Sequence, residues 1–166
     1  MPEPRWLAYA RTLIGVREIP GAKHSPTIMG WIKALGPRIL GITVRDDETA
    51  WCGTFCAHVM VHAGINPPPI AVRAKAWATW GRQLISPRPG CILVFDRKGG
   101  GHVGFYVGES DADFYVLGGN QGNAVTITPL AKSRLTQGGM RWPEGEPLPK
   151  PQIVRMTGGV RSTNEA

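Results

Sequence analysis

The 166-residue sequence predicts an α+β fold in which N-terminal helices, one of them bearing a cysteine nucleophile, pack on an antiparallel β-sheet. Three observations predict it. Apolar residues recur at helical spacing in three segments before residue 65. From Pro87 onward the pattern changes to short apolar or alternating runs separated by Gly, Pro and Asp turns, as in consecutive hairpins. Cys52 stands at the start of the third helical segment, where unpaired backbone N–H groups and the positive end of the helix dipole favour a thiolate.

Taken in order, Pro4 to Leu13 reads as an amphipathic helix with Trp6, Leu7, Ala10 and Leu13 on one face, ending near Gly15. Val16 to Gly21 is extended and then turns. Ser25-Pro26 opens a second helix, Thr27 to Leu35, by the Ser cap and first-turn Pro rule, and Gly36-Pro37 closes it. Residues 38–49 are expected to form a loop, with Asp46, Asp47, Glu48 and Thr49 capping the helix that follows. In that helix Phe55, Cys56, Val59, Met60 and Ala63 share an apolar face and Gly64 is the stop. Pro67-Pro68-Pro69 breaks regular structure, and Ala71 to Trp80 forms a short helix.

The strands expected after this are Cys91–Phe95, His102–Gly108, Phe114–Leu117 and Asn123–Thr128, with Lys98-Gly99-Gly100-Gly101 as a flexible hairpin loop. Residues 1–143 are read as one domain. Residues 144–166, rich in Pro and Gly, are read as a mostly extended tail with a single apolar island at Ile153-Val154.

Composition narrows the function. Hydrophobic content of 42% and charged content of 19% are those of an ordinary globular protein. No apolar run approaches the roughly 18 residues of a membrane span. Three cysteines without a Cys-x-x-Cys pair argue against a disulfide framework or a thiolate zinc site. A net charge of +7 suits an anionic partner. Without a basic stripe of interleaved aromatics, an anionic wall polymer is favoured over nucleic acid.

A base for Cys52 follows from the hairpins. If the turn at Glu109–Asp113 centres on Asp111, antiparallel pairing sets His102 opposite Asn120. An Asn could then orient an imidazole whose other nitrogen faces a thiol, the nucleophile–base–orienter logic of cysteine hydrolases. The glycines around Asn120 would let substrate backbone approach closely. Cys56, one turn deeper, and Cys91, in an apolar strand, are expected to be core. His58 and His62 are four apart, but no Glu follows the first and no third ligand is evident, so they are read as partly exposed surface residues rather than a metal site. Trp77, Trp80 and Trp142 are expected to be core rather than a glycan platform.

Trp51-Cys52-Gly53-Thr54-Phe55 followed by His102-Val103-Gly104-Phe105-Tyr106-Val107-Gly108 resembles the NlpC-type and CHAP-type cysteine peptidases of the papain-like fold. The closer likeness is to a phage and prophage subgroup. Leu117-Gly118-Gly119-Asn120-Gln121-Gly122-Asn123, Ile14-Gly15-Val16-Arg17-Glu18-Ile19-Pro20-Gly21 and Arg141-Trp142-Pro143 carry it further, so that the resemblance spans about residues 5 to 143. It implies a peptidoglycan amidase or endopeptidase with Cys52 as nucleophile, His102 as base and Asn120 in the third, polar position. Trp51, Gln121 and Asn123 are candidate substrate-binding residues, and no metal or other cofactor is expected. The expected partner is a peptidoglycan stem peptide or cross-bridge.

Met1-Pro2-Glu3-Pro4 lacks the basic start and apolar core of a signal peptide. The expected location is therefore a host cytoplasm with release to the wall, or a virion tail. Two alternatives keep the same scaffold. One is a catalytically silent structural or wall-binding phage tail module, and the other is a cysteine acyltransferase or deamidase acting on protein.

Overall fold

The computed structural model describes residues 3–20, 23–45 and 50–165. Its helices are α1 (Arg5–Thr12), α2 (Pro26–Leu40) and α3 (Cys52–His62), with 3-10 turns at Ala74–Thr79 and Lys132–Arg134. The strands are β1 (Arg82–Gln83), β2 (Ile92–Arg97), β3 (Gly100–Glu109), β4 (Asp113–Gly118), β5 (Thr126–Ala131) and β6 (Leu135–Trp142). They form one antiparallel sheet in the order β1-β6-β2-β3-β4-β5. The α+β class is as the sequence predicts, and the layout is consistent with a papain-like fold.

Local chemistry accounts for most boundaries. Ser25 Oγ accepts from Ile28 N at 3.3 Å, and Pro26 takes the first helical position. Gly36, at φ 72°, breaks the helix before Pro37 as expected, but a helical turn resumes and runs to Leu40, inside the stretch read as loop. The acidic cap expected at 46–49 lies outside the described residues. Trp51 occupies the N-cap position of α3 without a side-chain capping bond. The glycine loop is shorter than expected: β2 and β3 pair as far as Arg97↔Gly100, and Gly99 turns at φ 80°.

The sheet also gains β6, which fills the gap between β1 and β2 with the pairs Ile92↔Arg141 and Leu93↔Met140. At the other end, residues expected to begin a strand at Asn123 pair instead with the extended segment after α1: Val125 N donates to Val16 O at 2.8 Å and Glu18 N to Asn123 O at 3.0 Å.

Helix α3 packs on β3 and β4, and against α1 and α2. Phe55 meets Phe105 edge to face with ring centroids 6.1 Å apart, and Trp31 lies 5.9 Å from Phe55. The first turn of α3 is buried all round rather than along one stripe, from Cys52 to Ala57. Gly53 makes this possible, because a Cβ there would run into the backbone carbonyls of Ala71 and Val72. Trp77 and Trp142 are core as expected, with Trp77 Nε1 bonded to Ala71 O at 3.0 Å and Trp142 edge-on to Trp6 at 5.0 Å. Trp80 is half-buried.

The segment after Pro143 docks along much of the sheet. Glu109 N donates to Val154 O at 2.7 Å and Met156 N to Glu109 O at 2.9 Å, a short parallel pairing beside the Ile153-Val154 island. Gly108 leaves the space that Met156 fills.

Candidate active site

The fold brings Cys52, at the head of α3, to His102, near the start of β3. Both are buried, with Cys52 5% exposed and His102 fully enclosed. The packing of the first turn of α3 against residues 71–72 and the sheet encloses Cys52.

One ring nitrogen of His102 is firmly held. His102 Nε2 lies 2.8 Å from Gln121 Oε1. The Gln121 amide has its orientation fixed by its NH2 group, which donates to Val116 O at 3.1 Å and Thr126 O at 2.8 Å. Oε1 therefore faces the ring as an acceptor, and Nε2 carries the proton. The other nitrogen, Nδ1, is buried with no partner at hydrogen-bond geometry. It is left to the Cys52 thiol, which is close enough for each group to move the other's pKa. A contact loosely aligned in the unliganded state is usual for such a pair.

The electrostatics favour charge separation. Burial pushes the Cys52 thiol up, but His102 and the backbone N–H groups of Val103 and Gly53 outweigh it, and the thiol ends below its ordinary value. Burial pulls the His102 imidazole down, while Cys52, the Gln121 hydrogen bond and the charge of Glu165 bring it out above its ordinary value. Cys56 and Cys91 differ in kind. Burial drives Cys56 well above the normal range and pushes Cys91 up to about 12. Among the three cysteines, only the Cys52 thiol is held below its ordinary value.

The third position needs correction. Strands β3 and β4 pair as Phe105↔Leu117 and Tyr106↔Val116, the register that would carry His102 to Asn120 if the ladder continued. It does not continue. Strand β4 stops at Gly118, and Asn120 takes a left-handed backbone conformation at φ 59° that turns its side chain to Glu165 O, 3.2 Å away. Gln121 arrives at the ring in its place. Gln121 is thus no substrate ligand in this arrangement, since its amide is spent on protein groups and it is 2% exposed.

Trp51 is likewise buried, its Nε1 bonded to Glu18 Oε1 at 3.0 Å. This bond gives Glu18 of the Arg17-Glu18-Ile19-Pro20 stretch a structural role, and the buried Trp51 ring is not exposed for contact with substrate. Asn123 remains exposed at φ 61°.

The glycines before Asn120 make room for the protein rather than for substrate. A Cβ on Gly118 would fall 2.5 Å from Gln121 Oε1 and 3.3 Å from His102 Nε2. One on Gly119 would meet Phe55 at 2.7 Å and the Trp51 ring at 2.8 Å. The Gly-Gly-Asn-Gln run is what lets the loop close on the imidazole.

Sequence reasoning missed Glu165 altogether. Its carboxylate is buried, is bonded to Arg134 Nη2 at 2.6 Å and contributes to the field at His102. No local pattern in the tail marked it.

His58 and His62 lie away from this centre in an aromatic stack. Tyr9 OH is 2.7 Å from His58 Nε2, the Tyr9 ring stacks on His62 at 3.6 Å, and Trp31 stacks on His58 at 4.8 Å. Among the described residues no group of three His, Cys, Asp or Glu side chains is placed to hold a metal ion, and no helix is long and apolar enough to cross a membrane.

No curated protein and no solved structure matches the chain. Residues 44–120 do match a family model, the CHAP domain, and that stretch contains both Cys52 and His102.

Proposed function

We propose that this protein is a peptidoglycan-cleaving cysteine amidase or endopeptidase, in which Cys52 is the nucleophile and His102 the base. The observation that carries the reading is a thiol at a helix N-terminus, held below its ordinary pKa by an imidazole whose far nitrogen is fixed by Gln121. The match to the CHAP domain, a family of cysteine- and histidine-dependent amidohydrolases, supports wall peptide as the substrate class. The ordered motifs from Ile14 to Pro143 support a phage or prophage lysin, or a tail-associated wall hydrolase. The +7 charge suits an anionic wall.

In this mechanism the Cys52 thiolate attacks an amide carbonyl of a stem peptide or cross-bridge. The developing oxyanion is met by the backbone N–H of Cys52 at the start of α3. The His102 imidazolium gives its Nδ1 proton to the leaving amine as the C–N bond breaks, leaving a Cys52 thioester. Water, deprotonated by Nδ1, then attacks the thioester and returns the thiol. Gln121 Oε1 holds the Nε2 proton throughout, so that Nδ1 alone exchanges protons.

Incubation with purified peptidoglycan followed by mass spectrometry of the soluble products tests this reading. New amine and carboxyl ends at one defined amide bond are expected. Binding to the wall with no products would favour the silent tail module, and modification of protein amides with the wall left intact would favour the acyltransferase or deamidase.

A further inference from the structure

Glu165 reaches the catalytic centre from the far end of the Pro/Gly-rich segment, along a path tied at every stage. Tyr115 OH donates to Gly158 O at 2.6 Å, Arg161 Nε to Asp113 Oδ1 at 2.7 Å, and Ser162 N to Pro129 O at 2.9 Å. The Glu165 side chain is then fully buried. Arg134 Nη2 donates to Oε1 at 2.6 Å, while Oε2 takes Ser162 Oγ at 2.5 Å and Arg134 Nη1 at 3.2 Å. Its backbone carbonyl accepts from Asn120 Nδ2 at 3.2 Å, and the next residue, Gln121, holds His102 Nε2.

A buried carboxylate is a costly way to anchor a tail, because removing an ion from water costs several kcal/mol before pairing offsets it. Here the residue that bears the ion accepts from Asn120 through its backbone carbonyl, next to the Gln121 that orients the imidazole. We propose that Glu165 is a positioning residue of the active site, holding the Asn120–Gln121 turn against His102 and supplying the negative charge that favours the imidazolium of the Cys52–His102 pair. This rests on the reading of Cys52 and His102 as the reacting pair.

The charges around the ring fit that role. Cys52 acts on it from α3, and the charge of Glu165 from the C-terminal segment. Lys75 lies over Gly101, the residue before His102, but is paired with Asp96. Arg134, ahead of β6, is paired with Glu165 itself. Burial raises the Glu165 carboxyl, but Arg134, Ser162 and His102 together hold it below its ordinary value, so it is ionised across the pH range in which the imidazole titrates. Removing it should therefore destabilise the imidazolium, and with it the thiolate.

The test uses the full chain with Glu165→Gln, Glu165→Asp and the double variant Glu165→Gln/Arg134→Gln, which avoids stranding the arginine if the single change unfolds the protein. The readouts are the rate of Cys52 alkylation by iodoacetamide as a function of pH and the NMR titration of the His102 ring. Glu165→Gln should slow alkylation about threefold near pH 6, a modest factor because the carboxylate acts on the ring without a hydrogen bond to it. It should leave the rate near pH 10 unchanged, and His102 should titrate at lower pH. The double variant, which removes the opposing Arg134 charge as well, should shift both readouts in the same direction but by less, and Glu165→Asp should recover most of the wild-type rate.

Superimposable alkylation profiles and an unmoved His102 titration would overturn the proposal. So would faster wall turnover in Glu165→Gln with the profiles unchanged, which would make the segment a cover over the site. Either result leaves the Cys52–His102 pair standing as long as wild-type Cys52 alkylates readily. A wild-type protein that frees no wall fragments would instead sink the proposed function, while the His102 titration would still report on Glu165.

Discussion

Replacing Gln121 by Ala separates the observed orienter from the one expected on sequence grounds. The wild-type amide is 2% exposed, accepts from His102 Nε2 at 2.8 Å, and donates to Val116 O at 3.1 Å and Thr126 O at 2.8 Å. Truncation leaves the His102 N–H buried without a partner and takes the amide donor from the carbonyls of Val116 and Thr126. At about 1–3 kcal/mol for the orphaned N–H and about 1 kcal/mol for each lost donor bond, the loss is roughly 3–5 kcal/mol. For a domain of this size that lowers Tm by on the order of 5–20 °C. Turnover should fall by about 10²–10⁴, the range expected when a catalytic base loses its tautomer and orientation.

Gln121→Glu keeps an acceptor for Nε2 but loses both donors, so it should retain far more turnover than Gln121→Ala at a comparable cost in stability. Asn120→Ala removes one hydrogen bond, to Glu165 O, and should cost about 1 kcal/mol with a smaller loss of turnover. Thermal melts and wall-fragment release, measured on the three variants together, decide the matter. Near-wild-type turnover in Gln121→Ala alongside severe loss in Asn120→Ala would refute the assignment.

Iodoacetamide near neutral pH should label Cys52 ahead of Cys56 and Cys91, because its thiol alone lies below the ordinary range; peptide mapping that finds either of the others first would reverse the choice of nucleophile. Gly118→Ala should impair turnover by forcing a methyl between Gln121 Oε1 and His102 Nε2, measured as wall-fragment release, whereas Gly122→Ala, with open space at its Cβ but φ 64°, should cost stability first. His58 has its pKa lowered to about 4 by burial and by His62, so the unfolded chain binds its proton more readily; stability should be lost as pH falls from about 6.5 toward 4, and a melt series that stays flat in wild type across that window would contradict this. Retention on wall material should weaken as salt rises, since exposed charges are screened beyond roughly 8 Å at physiological ionic strength; salt-independent retention would point to aromatic or shape-specific contacts.

What the sequence made legible follows from the range of the forces involved. The head of α2 and the strands β2, β3 and β4 are set by neighbours along the chain, and they fall close to where the Ser25 cap and the alternation put them, with β3 starting two residues before His102. The β3–β4 register expected from a turn at Asp111 is off by one at Glu109↔Phe114 and Gly108↔Tyr115, and a bulge restores it at Tyr106↔Val116 and Phe105↔Leu117; a ladder argument sees neither the bulge nor where the ladder ends. Left-handed Asn120 ends it, and the one-residue advance this creates exchanges Asn for Gln at the imidazole. Strand β6 was hidden by Gly138 and Gly139 in its middle; what holds it is pairing to β2 and the Arg141 guanidinium on the carbonyls of Trp80 and Gly81. Glu165 was invisible for a related reason. Its place depends on Arg134, Ser162 and Asn120, and only the folded chain brings the first and last of these to it.

The measurement that bears most directly on the central claim is fragment release from purified peptidoglycan by wild type, Cys52→Ser and His102→Ala, with a thermal melt of each. The account predicts release of peptide fragments by the wild type, none above background by Cys52→Ser despite a melt close to wild type, and almost none by His102→Ala. Sustained release by a folded Cys52→Ser protein would contradict it.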